Sequence, residues 1–408
     1  MTTKSANFGD IRDKIRENAD KCVKCALCLP HCPTYLLTRE EGESPRGRLS
    51  LMTAIADSRL GNDPTTRHHL ANCLDCRACE AVCPANVPYG TVLADTRSLQ
   101  ASLWQPHESL LTRTSTRVSK QALFRQVLAI LASTGTLRLL SRLPGVFGRL
   151  LRGLPTSFPR APNRGARYTA KARSRGTVAL FLGCSATSLD TQTLQDSITI
   201  LTAAGFEVVI PAGQVCCGAL AAHAGRAQES RALFESNNLA FLDDNFDAVI
   251  VTATGCAAYF NDLANTAEKS LAVTEICQFL LDTRALDDIR FNALRKTVAL
   301  HTPCTARNIL RNDDCTRQLM NYLPGIRITE PMVKHCCGAA GSYFLDHADT
   351  ATELAQQLLN SLHFVDSDML CTTNYGCGMH LRAQLAITDG IEVLHPVSLL
   401  ARQLSATD

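Results

Sequence analysis

Two cysteine motifs near the amino terminus have the spacing of ligands to iron–sulfur clusters. Each has the form C-x2-C-x2-C-x3-C-P, and the second lies 51 residues after the first. Three thiolates at three-residue intervals can wrap one corner of an iron–sulfur cube, while the fourth points away and, where two such motifs occur together, ligates the other cluster. We therefore predict two [4Fe-4S] clusters that exchange one ligand. The ligands of the first are Cys22, Cys25, Cys28 and Cys83, and those of the second are Cys73, Cys76, Cys79 and Cys32.

Zinc is the alternative occupant of these motifs. Structural zinc takes four sulfurs around one ion, usually from two C-x2-C pairs that lie well apart. Four cysteines within eleven residues, in two copies, fit that pattern poorly. Neither motif contains a base, a nucleophile or an open ligand position. We therefore predict that the pair conducts electrons and that the chain has no catalytic residue of its own.

A second cysteine pattern is repeated in the carboxyl-terminal half, 120 residues apart. Each copy contains a lone cysteine, then a Cys-Cys-Gly triplet, then another lone cysteine. Adjacent residues on an extended strand point to opposite sides, but a following glycine lets the chain turn so that both sulfurs face one centre. We predict a metal site in each copy, holding a further cluster or zinc; inert buried thiols or a vicinal disulfide are the alternatives. The predicted ligands are Cys184, Cys216, Cys217 and Cys256, and Cys304, Cys336, Cys337 and Cys377.

Short apolar strands and amphipathic helices must position these cysteines. Residues 178–182, 207–210 and 248–252 have the pattern of buried strands, and 191–204 and 226–242 that of helices between them. The lone cysteines follow predicted strands, where parallel sheets place ligand sites. The same alternation recurs in the second copy, which indicates two pseudo-symmetric α/β lobes.

The predicted fold class is α+β and multidomain. A helical two-cluster ferredoxin-like domain at the amino terminus precedes two α/β cysteine-rich (CCG) lobes. The predicted boundaries are 1–100 for the cluster domain, 101–175 for a basic helical segment and linker, 176–290 for the first CCG domain and 291–408 for the second.

Five other residues could also bind metal. Their surroundings favour packing for the cysteines, and the sequence leaves the histidines ambiguous between structural and functional roles. They are Cys277, Cys315, Cys371, His301 and His395.

Composition limits the class of protein. The 408 residues are 46% hydrophobic and have a net charge of +3, which excludes wholesale disorder and a polycationic nucleic-acid-binding protein. Nineteen cysteines and a polar start without an apolar signal segment predict a cytoplasmic, reducing environment. Residues 101–175 contain fourteen Lys and Arg but one acid, Glu108. This segment could lie on the cytoplasmic face of the inner membrane as a peripheral contact, dock an acidic partner, or cover core helices as a solvated face.

The paired cluster motifs and the two CCG repeats together resemble the iron–sulfur subunits of flavin-linked dehydrogenases. These include glycolate oxidase (glycolate dehydrogenase), anaerobic glycerol-3-phosphate dehydrogenase and lactate-utilisation proteins, and heterodisulfide reductases share the CCG domain. The resemblance is greatest to glycolate oxidase iron–sulfur subunits. It is carried by Glu43–Leu49, Cys73–Gly90, the CCGA sequences at Cys216 and Cys336, and His301–Cys304.

The resemblance implies an electron-transfer subunit of an enzyme complex. A partner subunit with FAD would oxidise glycolate to glyoxylate, and this chain would pass the electrons to a quinone or another acceptor. Lactate or glycerol 3-phosphate could replace glycolate as the substrate, and the chain could also be a cluster-bearing protein without a role in an enzyme.

Thiol–disulfide chemistry by this chain is a further possible function, and one difference from the heterodisulfide reductases bears on it. Their CCG repeats each end in C-x-x-C, and the first position of that pattern is here Ala253 in one copy and Asn374 in the other. Each lobe therefore keeps four cysteines rather than five, which argues against direct disulfide reduction by this chain.

Overall fold

The computed structural model describes most of the chain outside the basic segment. The described residues are 8–104, 140, 148, 151–155, 158–242, 246–264, 271–332, 334–362, 367–385 and 391–405. The roles predicted for 101–175 therefore fall largely outside the described residues. None of the described helices is both long and apolar enough to span a bilayer.

The amino-terminal domain is helical, as predicted. Its helices pack around one apolar core that includes Ile15, Met52 and Leu93. Two of them begin at a proline preceded by a capping side chain: Ser44 Oγ accepts from Gly47 N at 2.9 Å, and Asp63 Oδ1 from Thr66 N at 2.8 Å. The helices are α1 (Phe8–Ala19), α2 (Pro33–Thr38), α3 (Pro45–Ala56), α4 (Pro64–Ala71), α5 (Ala78–Ala81) and α6 (Tyr89–Leu103), with single 3-10 turns at Leu29–His31 and Glu41–Glu43.

The first α/β unit, here called lobe 1, contains a parallel sheet with the strand order β3-β2-β4-β5. The short β1 adds antiparallel to the β3 edge. Its elements are β1 (Arg167–Tyr168), β2 (Gly176–Phe181), α7 (Ala186–Leu189), α8 (Thr191–Ala203), β3 (Phe206–Val209), α9 (Ala219–His223), α10 (Ala227–Leu242), β4 (Ala248–Val251), α11 (Thr254–Ala264), β5 (Val273–Glu275) and α12 (Ile276–Asp282).

The second unit, lobe 2, repeats this order as β7-β6-β8-β9, and all of its strand pairs are parallel. The two sheets therefore have the same topology. Its elements are β6 (Thr297–His301), a π-helical turn (Ala306–Leu310), α13 (Cys315–Met320), β7 (Arg327–Thr329), α14 (Tyr343–Asp346), α15 (Ala348–Ser361), β8 (Met369–Thr372), α16 (Tyr375–Leu385), β9 (Glu392–Leu394) and α17 (Pro396–Gln403).

One face of each sheet packs into a core that the two lobes share. Val178 and Leu180 of β2 lie in the same apolar cluster as Val298 and Leu300 of β6. The last helix of each lobe packs on the other lobe, α12 on α13 and α17 on α8. The opposite faces, which carry alternate residues of the same strands, form two separate clusters, and these contain Cys217 in lobe 1 and Cys337 in lobe 2.

Candidate metal centres

The four sulfurs predicted to bind the second cluster line one small cavity. Cys32 comes from the first motif and reaches across to the second, as the exchanged-ligand pattern requires. Burial, together with the negative charges of neighbouring sulfurs, raises the pKa of Cys79 well above its ordinary value. A set of four sulfurs, two of them buried and two half-buried, suits a cationic metal that compensates the thiolate charge. The cysteines at the cavity are Cys32, Cys73, Cys76 and Cys79.

The residues around Cys25 and Cys76 have the same unusual backbone in both motifs. Lys24 and Ala26 have φ angles of 54° and 70°, and Asp75 and Arg77, 51 positions later, have 49° and 53°. Positive φ is unfavourable for non-glycine residues and is retained where the surroundings impose it. Its repetition at matching positions is what a loop needs when successive cysteines must turn toward one centre.

The first predicted set is more open than the second. Cys25 is exposed and Cys28 is half-buried. Burial and then the negative charge of Cys22 raise the pKa of Cys28. Cys22 and Cys83 both pack at the edge of the amino-terminal core.

A buried ion pair adjoins the second set. Arg48 and Glu43 are each 1% exposed and form a salt bridge. Arg48 Nη1 also lies 3.9 Å from Cys32 Sγ. Burial alone would lower the pKa of Arg48, but attraction to Cys73, Tyr89, Cys32 and Glu43 raises it, so the guanidinium remains a fixed positive charge.

Glu43 has further partners that hold it in place. His69 Nδ1 lies 2.7 Å from Glu43 Oε1, and Asn72 Nδ2 donates to Oε2 at 2.7 Å. Asn72 in turn accepts a hydrogen bond from the hydroxyl of Tyr343 in lobe 2. No local pattern in the sequence shows that Glu43, His69 and Asn72 support the buried arginine.

The four cysteine sulfurs of lobe 1 lie side by side, each next to at least one of the others. Cys184 Sγ and Cys216 Sγ are 3.4 Å apart, and Gly218 N donates to Cys216 Sγ at 3.5 Å. A hydrogen bond from Cys216 lowers the pKa of Cys217. A hydrogen bond with Cys256 and the burial of the thiol both raise this pKa, which lies well above its ordinary value. All four sulfurs that the sequence singles out in lobe 1 are therefore neighbours.

Lobe 2 repeats this arrangement with its own four cysteines. Cys304 Sγ and Cys336 Sγ are 4.0 Å apart, and Cys337 interacts with both Cys336 and Cys377. Hydrogen bonds from Cys304 and then Cys337 lower the pKa of Cys336 well below its ordinary value, which favours a thiolate there. Soft thiolate sets of this kind suit iron or zinc.

The glycine after each cysteine pair produces the turn that the sequence predicts. Gly218 has a φ of 95° and Gly338 a φ of 85°. A side chain at Gly338 would also place its Cβ 2.7 Å from the carbonyl oxygen of Ala351. Glycine is therefore required both by the backbone angle and by the close approach of α15.

The two histidines that the sequence leaves ambiguous have different environments. His395 caps α17, with Nδ1 accepting from Val397 N at 3.1 Å and Nε2 lying 3.0 Å from the carbonyl oxygen of Thr252. His301 has Nδ1 2.9 Å from Thr372 Oγ1, while its buried Nε2 has no partner within the described part of the chain. Burial lowers the pKa of His301 to about 4, so its imidazole is neutral.

The remaining cysteines pack in the core shared by the lobes. Cys277 and Cys371 are fully buried there, and Cys315 donates to Gln278 Oε1 at 2.6 Å. These surroundings agree with the packing role that the sequence favours for them.

The second cysteine set adjoins the lobe 2 site. Leu74 and Cys76 share an apolar cluster with Cys304, Cys336 and Tyr343. The charge of Cys336 acts directly on Cys76, and Asn308 Nδ2 in lobe 2 donates to the carbonyl oxygen of Cys76 at 2.7 Å. The fold thus brings the second cluster position and the lobe 2 sulfurs side by side.

Comparison with known families matches each of these regions. A family described as "4Fe-4S dicluster domain" matches residues 18–87, and one described as "Cysteine-rich domain" matches 178–261 and 298–382. Together these matches contain all sixteen cysteines of the two repeated patterns.

Several curated proteins are similar over much of the chain. A probable glycolate oxidase iron–sulfur subunit of Bacillus subtilis is 28% identical, with 98% of each chain covered. The glycolate oxidase iron–sulfur subunit of Escherichia coli is 29% identical over 88% of this chain and 89% of that one. Lactate utilization protein A of B. subtilis is 23% identical over 55% of this chain and 98% of its own length. The chain therefore belongs to the family of iron–sulfur proteins that join a 4Fe-4S dicluster domain to two cysteine-rich domains, and glycolate oxidase iron–sulfur subunits are among its homologues over most of the chain.

Proposed function

We propose that this chain is the electron-transfer subunit of a flavin-linked 2-hydroxy-acid dehydrogenase that oxidises glycolate. A partner subunit carrying FAD removes two electrons and two protons from glycolate, which leaves glyoxylate. The chain receives the electrons one at a time and passes them to an acceptor such as a quinone, which takes up two electrons and two protons. The full-length similarity to glycolate oxidase subunits supports glycolate over lactate or glycerol 3-phosphate.

The proposal rests mainly on one observation: the cysteine sulfurs come together in groups, and the group of the second cluster adjoins that of lobe 2. The cavity formed by Cys32, Cys73, Cys76 and Cys79 is the proposed site of the second [4Fe-4S] cluster. The ligands proposed for the first cluster are Cys22, Cys25, Cys28 and Cys83. When bound, such clusters supply one-electron carriers whose potential depends on nearby charge and hydrogen bonds. The chain's own contribution is to fix the loops that carry the sulfurs, to bury Cys32 and Cys73, and to keep a positive charge, Arg48, beside the second set.

We further propose that each lobe holds a metal centre on its four cysteines. The ligand sets are Cys184, Cys216, Cys217 and Cys256 in lobe 1, and Cys304, Cys336, Cys337 and Cys377 in lobe 2. Because Cys76 adjoins Cys304 and Cys336, the lobe 2 centre is the neighbour of the second cluster. A redox-active metal there would extend the electron path, and zinc would make it structural.

The test is anaerobic co-purification with candidate flavin subunits, followed by donor-dependent reduction of the chain. Glycolate, lactate and glycerol 3-phosphate are compared by bleaching of cluster absorbance and by reduction of an artificial acceptor. We expect glycolate to give the largest signal and Cys76→Ser to abolish it. Cys315→Ser is the matched control, because serine can keep the hydrogen bond to Gln278 Oε1.

Two results would contradict the proposal. A response to lactate or glycerol 3-phosphate without one to glycolate would show that the substrate is wrong and leave the electron-transfer role intact. Turnover of a disulfide by the isolated chain, without any flavin subunit, would support thiol–disulfide chemistry instead.

A further inference from the structure

The two lobes share their cysteine pattern but differ at one strand position beside it. β2 of lobe 1 ends at Phe181, and β6 of lobe 2 ends, 120 positions later, at His301. Each residue follows a strand residue that faces the shared core, so each side chain points to the opposite face, where the cysteine pair lies. The same place beside the sulfurs therefore holds a phenyl ring in one lobe and an imidazole in the other.

The residue that pairs with this position on the neighbouring strand also differs between the two lobes. Phe181 pairs with Val251 on β4, and His301 pairs with Thr372 on β8. In lobe 1 the pair is apolar, and Phe181 packs edge-on against Phe260 at 5.0 Å between ring centroids. In lobe 2 the threonine supplies a hydroxyl that lies 2.9 Å from His301 Nδ1. The lobe that has the imidazole therefore also has the group that orients it.

This orientation leaves the other ring nitrogen, Nε2, buried without a partner among the described residues. His301 is 2% exposed, and its Nε2 makes no hydrogen bond to any described residue. One ring nitrogen of His301 and the sulfurs of Cys337 and Cys377 all lie within 4.8 Å of one another. A buried polar atom without a partner is unfavourable, so a ligand is expected at Nε2.

The contrast with His395 shows that burial alone does not produce this arrangement. His395 is also buried and also lies near a cysteine and a carboxylate, Cys277 and Glu275. Both of its nitrogens are occupied, however, one by Val397 N and the other by the Thr252 carbonyl. His395 therefore has no lone pair to offer, whereas His301 does when Nδ1–H donates to Thr372.

We propose that His301 Nε2 is a fifth donor to the lobe 2 metal centre, and that lobe 1 binds its metal through sulfur alone. The metal is thiophilic, iron or zinc, since both accept mixed thiolate and imidazole ligands; a tetrahedral zinc ion would bind His301 in place of one of the four sulfurs, whereas an iron centre could use all five donors. Thr372 is a positioning residue that fixes the ring, as groups hydrogen-bonded to metal-ligating histidines commonly do. The two lobes would then hold centres of different composition despite their common fold. This proposal rests on the metal centre proposed above for lobe 2.

The experiment is X-ray absorption of the full chain, purified without oxygen, together with metal analysis. The metal analysis decides whether the iron or the zinc edge is measured. The proposed ligands of the other centres are all sulfurs, so a nitrogen shell at about 2.0–2.1 Å would come from lobe 2. We expect that shell in the wild type and its loss in His301→Phe/Thr372→Val, which reproduces the pair that packs in lobe 1.

Two controls separate ligation from folding and from other histidines. His395→Asn keeps a residue suited to capping α17 and should retain the nitrogen shell. Unchanged absorbance of the amino-terminal clusters shows that the double variant is folded. Survival of the nitrogen shell in the double variant, or its absence from a wild type that contains metal, would overturn the proposal.

A different result is expected if lobe 2 holds no metal centre at all. If Cys337→Ser and Cys377→Ser contain as much metal per chain as the wild type, lobe 2 binds none and the earlier proposal is wrong. If those variants lose metal but the nitrogen shell does not depend on His301, only the fifth donor is wrong.

Discussion

A single buried arginine beside the second cysteine set has both a structural and an electrostatic role. Arg48 pairs with the equally buried Glu43, and its guanidinium lies 3.9 Å from Cys32 Sγ. Removing one partner of a buried pair leaves an uncompensated charge. We predict that Arg48→Met lowers the free energy of unfolding by about 3–5 kcal/mol, as measured by urea unfolding without oxygen.

The same variant should also change the cluster. Loss of a nearby positive charge disfavours the added electron, so the reduction potential of the second cluster should fall in a redox titration. Arg46→Met is the matched control, because Arg46 pairs with Glu41 at the surface and should change stability by less than about 1 kcal/mol. An unchanged potential in a folded Arg48→Met protein would mean that this arginine is structural only.

At the residue scale, the sequence predicts ligands better than it predicts their supports. Cysteine spacing carries its own chemistry, so all sixteen candidate ligands could be named from the motifs. Glu43 is close to Arg48 in the chain, but Asn72, which fixes Glu43, and Thr372, which orients His301, come from distant positions, and no local pattern marks such pairs. Alignment of the two repeats places His301 opposite Phe181, and this difference is the signal in the sequence that marks the histidine.

At the element scale, the turn after each cysteine pair depends on glycine. Gly338 has a φ of 85° and lies against the backbone of Ala351. We predict that Gly338→Ala destabilises the protein by at least about 1–3 kcal/mol, and that it lowers the metal content of lobe 2 because Cys336 and Cys337 are displaced. Urea unfolding and metal analysis measure the two effects.

The control for this prediction is another glycine with open surroundings. A Cβ at Gly61 would meet nothing within 4 Å, so Gly61→Ala should leave metal content and stability nearly unchanged. If Gly338→Ala retained full metal content, the turn would be adaptable and the glycine would not be needed to bring the two sulfurs together.

The strongly apolar elements were predictable, and the short edge strands were not. The strands predicted at 178–182, 207–210 and 248–252 are observed at Gly176–Phe181, Phe206–Val209 and Ala248–Val251. β1 and β5 contain only two and three residues, which is too few for an alternating pattern to be recognised. Their positions are fixed by pairing with neighbouring strands, which depends on the tertiary structure.

At the scale of the whole molecule, the amino-terminal domain contacts both lobes through different groups. Arg77 forms a salt bridge with Asp262 of lobe 1 at 2.7 Å. On the lobe 2 side, Asn308 donates to the Cys76 carbonyl and Tyr343 to Asn72. The sequence predicts the separate units, but their mutual arrangement depends on these polar contacts and on the apolar cluster that Leu74 shares with lobe 2, all between residues that are far apart in the chain.

Both lobes contact the loop of the second cluster, and we predict that the lobe 2 contact at Cys76 holds its first part, residues 73–76, whereas the lobe 1 contact at Arg77 holds the start of α5. Asn308→Ala removes one hydrogen bond worth about 1 kcal/mol, so hydrogen exchange of the amides at 73–76, before α5, should rise about fivefold. Asp262→Asn, which weakens the contact with lobe 1, is the comparison and should mainly affect α5. Hydrogen exchange measured by mass spectrometry on the intact, metal-loaded chain distinguishes the two. If Asp262→Asn loosened the Cys76 loop and Asn308→Ala did not, the second cluster would be held from lobe 1, and the electron path proposed through lobe 2 would lose its structural basis.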